Sequence, residues 1–420
     1  MKRFSKTSPL ILLMILAVGL TAFAQKSAEV PADFLKNARI LHAPAHHRNT
    51  GFDFAATSSS SIQGIDSVVN FVQSFNANGV DASGNPQNLW SFAMVGNSPE
   101  QGGTTHISAP VIPVSLNLLN PDGSVFLHYD VTPFIQPTLL SPVFSPARFS
   151  TSSVSTQFTD AVQRAEFFSV IDQGWHTLLV TSVKQARTMS IPSGSYSFAL
   201  NPDNSCCAFV LVDINTFTNL LFPPTFPVDN STIIGAAELA GDMTTKDITT
   251  LLFPNTYLYL NGRVKDCCVL GFHEFDFEPG IPQNGNLPRF YVMNYSSWIS
   301  PGIFGGGFQD VTALSHEMAE TFNDPFVVFD GVHNLSPWWL SGSQCQDDIE
   351  DGDVIESLSA NVVFPMSLNG MTYHPQNVAL LPWFEFQSPS TAFQGAYSYP
   401  NTATLPALSR AWNVGCKKPL

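Results

Sequence analysis

Residues 310–325, reading DVTALSHEMAETFNDP, constrain the fold more tightly than any other stretch of the chain. Asp310 is placed to cap a helix that opens at Val311, and Pro325 stops it three residues after Phe322, so the spacing predicts a helix over 311–322. At about 100° per residue, Val311, Leu314, Met318 and Phe322 line up as one apolar stripe, which has to be buried against another element. His316, Glu320 and the more distal Asp324 fall near the opposite side. The helix is therefore expected to pack by one face and to present chemistry on the other.

That second face carries a specific pattern. Side chains at i and i+4 stand one above the other on a helix, close enough to hold one ion. The zinc peptidase motif HExxH uses this spacing for two ligands, with the Glu beside the first His as general base. Here the run is His316-Glu317-Met318-Ala319-Glu320, with a carboxylate in place of the second imidazole. Glutamate is an acceptable zinc ligand, so a site survives the replacement. Only 12% of residues are charged, about half the usual share, which makes a His and three acids within nine positions a marked concentration.

The rest of the chain sets the context. Lys2, Arg3 and Lys6 precede an apolar run from Leu10 to Leu20, and Ala22-Phe23-Ala24 offers a small-x-small cleavage site. Residues 1–24 thus read as a signal peptide, and the mature protein as secreted or periplasmic, with no membrane span. A net charge of −15, from 18 basic and 33 acidic residues, argues against nucleic acid or an anionic membrane as partner. Six cysteines fit disulfides in an exported chain. Bridges between adjacent cysteines are disfavoured by geometry, so the 206/207 pair is expected to meet the 267/268 pair, and Cys345 to meet Cys416.

Residues 25–60 read as a flexible leader carrying His42, His46 and His47, in which the His46-His47 doublet is expected to be polar surface, with metal binding as the alternative. From 61 to 150, short apolar runs separated by turns such as Asn120-Pro121-Asp122-Gly123 indicate a β-rich region. A helix is expected over Thr156–Phe167, capped by Thr159 or Asp160, and another over Met243–Leu252. Strand candidates are His176–Val183, Cys206–Asp213, Thr256–Leu260, Cys267–His273 and Arg289–Tyr295. A mixed sheet lying over the 311–322 helix is the expected arrangement. Downstream, Asp347-Asp348-Ile349-Glu350-Asp351-Gly352-Asp353 forms an acid-dense loop candidate; Ile349 and Leu358 stand where an EF-hand needs oxygen ligands.

The segment Leu314-Ser315-His316-Glu317-Met318-Ala319-Glu320 with Asp324-Pro325 resembles the SHExAExxxDP motif of a family of uncharacterised secreted bacterial proteins. More remotely it is similar to the exordium (phosphate-induced) proteins of plants. Glu350-Asp351-Gly352-Asp353 matches a second segment of that family, and the resemblance covers roughly residues 150–400. In the logic of its site the chain also resembles gluzincin-type metallopeptidases. That resemblance implies His316 and Glu320 as metal ligands, Glu317 as base and Glu350 as third ligand, with Asp353 orienting a ligand or replacing Glu350. It departs from the peptidases at Glu320, where they have His.

The expected architecture is α+β, a β-rich N-terminal region followed over 151–420 by a zincin-like domain with a mixed sheet over its metal-binding helix. The expected function is a secreted Zn2+-dependent hydrolase of peptide or protein substrates, with Tyr373 and His374 as candidates to stabilise the oxyanion or, as the alternative for each, core or loop residues. His273 is expected to be structural, with lining the cleft from a strand end as its alternative. The alternative is a non-catalytic exported protein in which the same acids hold a structural Ca2+ or zinc and the β-rich region binds a surface or glycan. No GxSxG elbow or GKT/S phosphate loop points to other hydrolase chemistry.

Overall fold

The computed structural model describes residues 28–43, 65–80, 86–151, 153–201, 203, 207–223, 230–327, 338–340, 344–346, 349–385 and 387–406. The signal peptide at 1–24, His46, His47, Cys206, Asp347, Asp348 and Cys416 lie outside the described residues, as does the side chain of Cys345. The class is mixed α+β.

Strand β1 (Ala28–Glu29) is followed by an antiparallel hairpin of β2 (Asn70–Val80) and β3 (Pro86–Val95). The long strand β4 (Thr104–Leu119) turns at Asn120–Gly123 into β5 (Val125–Tyr129). Helices α1 (Thr132–Leu139) and α2 (Phe158–Glu166) precede β6 (His176–Val183), β7 (Arg187–Ile191), β8 (Tyr196–Ala199) and β9 (Phe209–Asp213). Helices α3 (Ile214–Leu221) and α4 (Ile233–Ala240) lead to β10 (Ile248–Pro254), β11 (Thr256–Tyr259), β12 (Cys267–Val269), β13 (Gly271–Glu278) and β14 (Arg289–Trp298). Helix α5 (Thr312–Asn323) is the HExxE helix; β15 (Trp338–Leu340), β16 (Gln344–Gln346) and α6 (Asp351–Leu358) come after it. The described chain closes with β17 (Met366–Leu368), β18 (Met371–Tyr373), β19 (Val378–Ala379), α7 (Leu381–Phe384) and β20 (Ser398–Tyr399).

Two sheets organise these elements. In the larger, β13, β14, β10 and β4 lie side by side, with β5, β6 and β7 also on β4. Strand β10 runs parallel to both β14 and β4, whereas β13 is antiparallel to β14. The smaller sheet has the order β1-β8-β9-β11-β12. Alternation along the strands sorts their side chains onto two faces. Ile107, Ala109 and Val111 of β4, Phe275 of β13 and Val292 of β14 face one way and pack with Val311, Leu314, Met318 and Phe322. Ile112, Val114, Leu116 and Leu118 of β4, with Phe272 and Met293, face the other core, shared with α3, α4 and the smaller sheet. The apolar stripe read from sequence is thus the face that seats α5 on the mixed sheet.

Several expectations need correction. Met243–Leu252 is not a helix, because its second half is the central strand β10. Thr249 and Thr250 are completely buried there, and β-branched residues covered on both faces suit a parallel strand without alternating polarity. The acidic run does not stay a loop, since α6 begins at Asp351 and places two acids in its first turn, where the helix dipole favours them. Neither Thr159 nor Asp160 caps α2; the cap position is Gln157 without a side-chain bond, and Asp160 instead accepts from Thr177 N at 2.7 Å. Strand β4, within 61–150, is hydrogen-bonded to β6, β7 and β10 of 151–420. Cys267 and Cys268 bridge each other, so the expected cross-links from 206/207 to that pair do not form.

The leader also differs from its reading. Residues 28–43 are placed: β1 pairs with β8, and Leu35 is fully buried. Leu41 N donates to Cys268 O at 2.7 Å and Cys268 N to Arg39 O at 2.8 Å. These bonds lay the segment along β12 and bring His42 beside the HExxE helix.

Candidate metal centre

Helix α5 is buried on all sides, so its polar face meets protein rather than solvent. His316 and Glu320, one turn apart, bring Nε2 and Oε1 to 3.0 Å. The start of α6 packs end-on against them. Gly352 N and Asp353 N donate to Glu320 Oε1 at 3.1 and 3.3 Å, a helix N-terminus directed at a carboxylate. Asp353 Oδ1 reaches to 3.4 Å from His316 Nε2. Gly352 permits this approach, because a Cβ there would stand 2.6 Å from His316 Nδ1, closer than side-chain carbons come.

The imidazole of His316 is oriented from behind. Gln376 Oε1 lies 3.1 Å from His316 Nδ1 while Gln376 Nε2 donates to Gly352 O at 2.9 Å. With its amide nitrogen used in that bond, Gln376 presents an oxygen, which assigns a proton to Nδ1 and directs Nε2 toward the carboxylates. This is the outer support that metal-bound histidines commonly have.

Strand β13 supplies the other wall. Gly271, His273 and Phe275 share the face turned to α5. Phe275 joins the core, Gly271 leaves the space that Glu317 fills, and His273 reaches the acids. A Cβ at position 271 would lie 2.5 Å from Glu317 Oε1. His273 Nδ1 is 3.4 Å from Glu320 Oε2, 3.8 Å from Glu317 Oε2 and 4.0 Å from Glu350 Oε2. His42 enters from the N-terminal segment and pairs with Asp353.

Among the described residues, three groups of side chains have ligand atoms within 4.8 Å of one another: His316, Glu320 and Asp353; His273, Glu320 and Glu350; His42, Asp353 and Glu356. Two atoms on one tetrahedral ion at about 2.0–2.1 Å stand roughly 3.3 Å apart, which the separations around His316 match. The groups are positioned to bind a metal ion. Imidazole nitrogen in every group suits a transition metal better than calcium, whose shell is oxygen.

Electrostatics fit a cation-ready cluster. Burial acts against charging His316 and His273, yet Glu317 and Glu320 hold both well above the ordinary histidine range. Burial likewise opposes ionisation of Glu320, but His316 and His273 hold it below the usual carboxylate range. For Glu317 burial prevails over the same two histidines, and its carboxyl is pushed up to about 7. Asp353 is held low by His42 and His316 against its burial. Asp351, beside the cluster, is raised by burial and by the charges of Glu320 and Glu166.

Of the residues expected from sequence, His316, Glu317, Glu320, Glu350 and Asp353 come together. Asp353, not Glu350, completes the group around His316; Glu350 lies toward His273. Tyr373 and His374 are not brought to the cluster. Tyr373 is buried with its hydroxyl donating to Pro137 O at 2.8 Å. His374 is held by Asp310 Oδ2 at 2.6 Å and lies 3.0 Å from Gln309 Nε2. Asp324 serves as a tether, accepting from Ile349 N at 3.0 Å. Two further participants are His273, whose cleft-lining role was the alternative reading, and His42. The Gly271-Phe272-His273-Glu274-Phe275 alternation was a readable signal for the first; nothing local marks the second.

Among the described residues no helix is long and apolar enough to cross a membrane. No family model, curated protein or solved structure matches the chain.

Proposed function

We propose that the protein is an exported metal-dependent hydrolase of the peptidase type, with zinc held by His316, Glu320 and Asp353. The observation that carries this reading is the convergence of one imidazole and two carboxylates from α5 and α6 on a single point, beside a buried carboxylate, Glu317, that is not one of the three. The resemblance to secreted SHExAExxxDP proteins bears on its export and not on its activity. A zinc ion there supplies Lewis acidity, making a water more acidic and a peptide carbonyl more electrophilic. Glu317 is the proton carrier: its carboxyl is buried against Gly271 beside the three ligands without being one of them, so it is placed to take a proton from a water and return it. Gln376 keeps His316 Nε2 directed inward, and the α6 backbone amides fix Glu320.

The test is hydrolysis of casein by the purified mature protein, before and after chelation. The proposal expects turnover that a chelator abolishes and added Zn2+ restores. Turnover unaffected by chelation, or none in protein that retains stoichiometric zinc, contradicts it. Tightly held calcium without turnover assigns the cluster a structural role.

A further inference from the structure

Glu320 faces two ways. Its Oε1 points to His316, while its Oε2 is the oxygen nearest His273. We propose that the protein binds two divalent cations, the second held by His273 Nδ1, Glu350 and Glu320 Oε2, with the Glu320 carboxylate bridging the pair. This rests on the metal-hydrolase reading and extends it from a single-ion to a two-ion centre.

The second group is built as a site in its own right. His273 is buried, with 4% of its side chain exposed, and among the described residues it forms with Glu320 and Glu350 a group whose ligand atoms all lie within 4.8 Å of one another. Its Nδ1 stands 3.4 and 4.0 Å from Glu320 Oε2 and Glu350 Oε2, near or slightly beyond the separation of two atoms sharing one ion. The ring is brought there by the β13 alternation, and Gly271 on the same face keeps the wall open. Carboxylate-bridged ions about 3.5–4 Å apart clamp both the attacking and the leaving group in hydrolytic two-metal centres, which assigns Glu350 and His273 a role that a single zinc leaves without explanation.

The test uses the mature protein stripped by a chelator and titrated with Mn2+, read as bound equivalents by equilibrium dialysis and as electron paramagnetic resonance. Two equivalents with an exchange-coupled spectrum are expected for the wild type. His273→Ala and Glu350→Gln should each bind one, with an uncoupled spectrum. Glu350 is at the edge of the cluster, so its substitution reports even where His273→Ala disturbs folding. A wild type that saturates at one equivalent, or binds no Mn2+, overturns the second ion; the hydrolase reading stands or falls separately, on turnover with chelator and Zn2+. Two equivalents retained by both variants also overturns the assignment.

Discussion

Replacing Glu320 with alanine is expected to abolish cation binding and to lower the stability of the cation-free protein by about 3–5 kcal/mol, the usual cost of breaking a buried ion pair from one side. The carboxylate accepts from two α6 amides and lies against two histidines. Its loss therefore leaves unpaired donors and buried imidazolium groups together. The size of the effect depends on pH with a defined sign. Glu320 is held below its ordinary value of 4.5, so its contribution is present above that value and disappears as pH falls through the folded-state pKa. His316 and His273 are held above 6.5, so theirs is complete below 6.5 and disappears as pH rises through the raised values. The gap between wild type and variant, measured by urea unfolding of both in chelator, is widest between pH 4.5 and 6.5. A gap independent of pH, or cation binding that survives the substitution, contradicts this view of Glu320.

Glu317→Gln separates catalysis from binding. The amide keeps the shape of the side chain against Gly271 but cannot take a proton, so kcat is expected to fall by about 10^2–10^4-fold with the bound-metal content unchanged. In the cation-free cluster burial raises the carboxyl to about 7; a neighbouring cation stabilises its ionised form. The acid limb of kcat/KM in the wild type should accordingly lie at or below pH 7 and vanish in the variant's residual activity. Parallel loss of metal and activity would make Glu317 a ligand rather than a base.

How much of this was legible in sequence depended on whether the signal was local. The helix α5 was read from its apolar period and from Pro325, and starts within one residue of its expected position. The longer strands were likewise found where turn residues bound them, although Cys267–His273, read as one strand, is divided between β12 and β13, and short strands such as β7 and β8 carried no such signal. Strand β10 was misread because Thr249 and Thr250 look polar in sequence yet are buried on a strand lying between two parallel neighbours. Helix α6 was obscured by its own acids, although Asp351 and Asp353 at its start are what a helix N-terminus favours. The i, i+4 pair His316 and Glu320 was visible from spacing alone. That Asp353 rather than Glu350 would meet His316 was not, since the choice is made by the end-on packing of α6 that Gly352 allows. His42 depends on backbone bonds to Cys268, more than two hundred positions away, and no local pattern encodes such a contact.

The most direct measurement of the central claim is anomalous diffraction at the zinc absorption edge, from crystals of the mature protein grown with zinc. A peak about 2.0–2.2 Å from His316 Nε2, Glu320 Oε1 and Asp353 Oδ1 is the result the account predicts. Zinc bound elsewhere, with His316 and Glu320 still in direct contact, would contradict it.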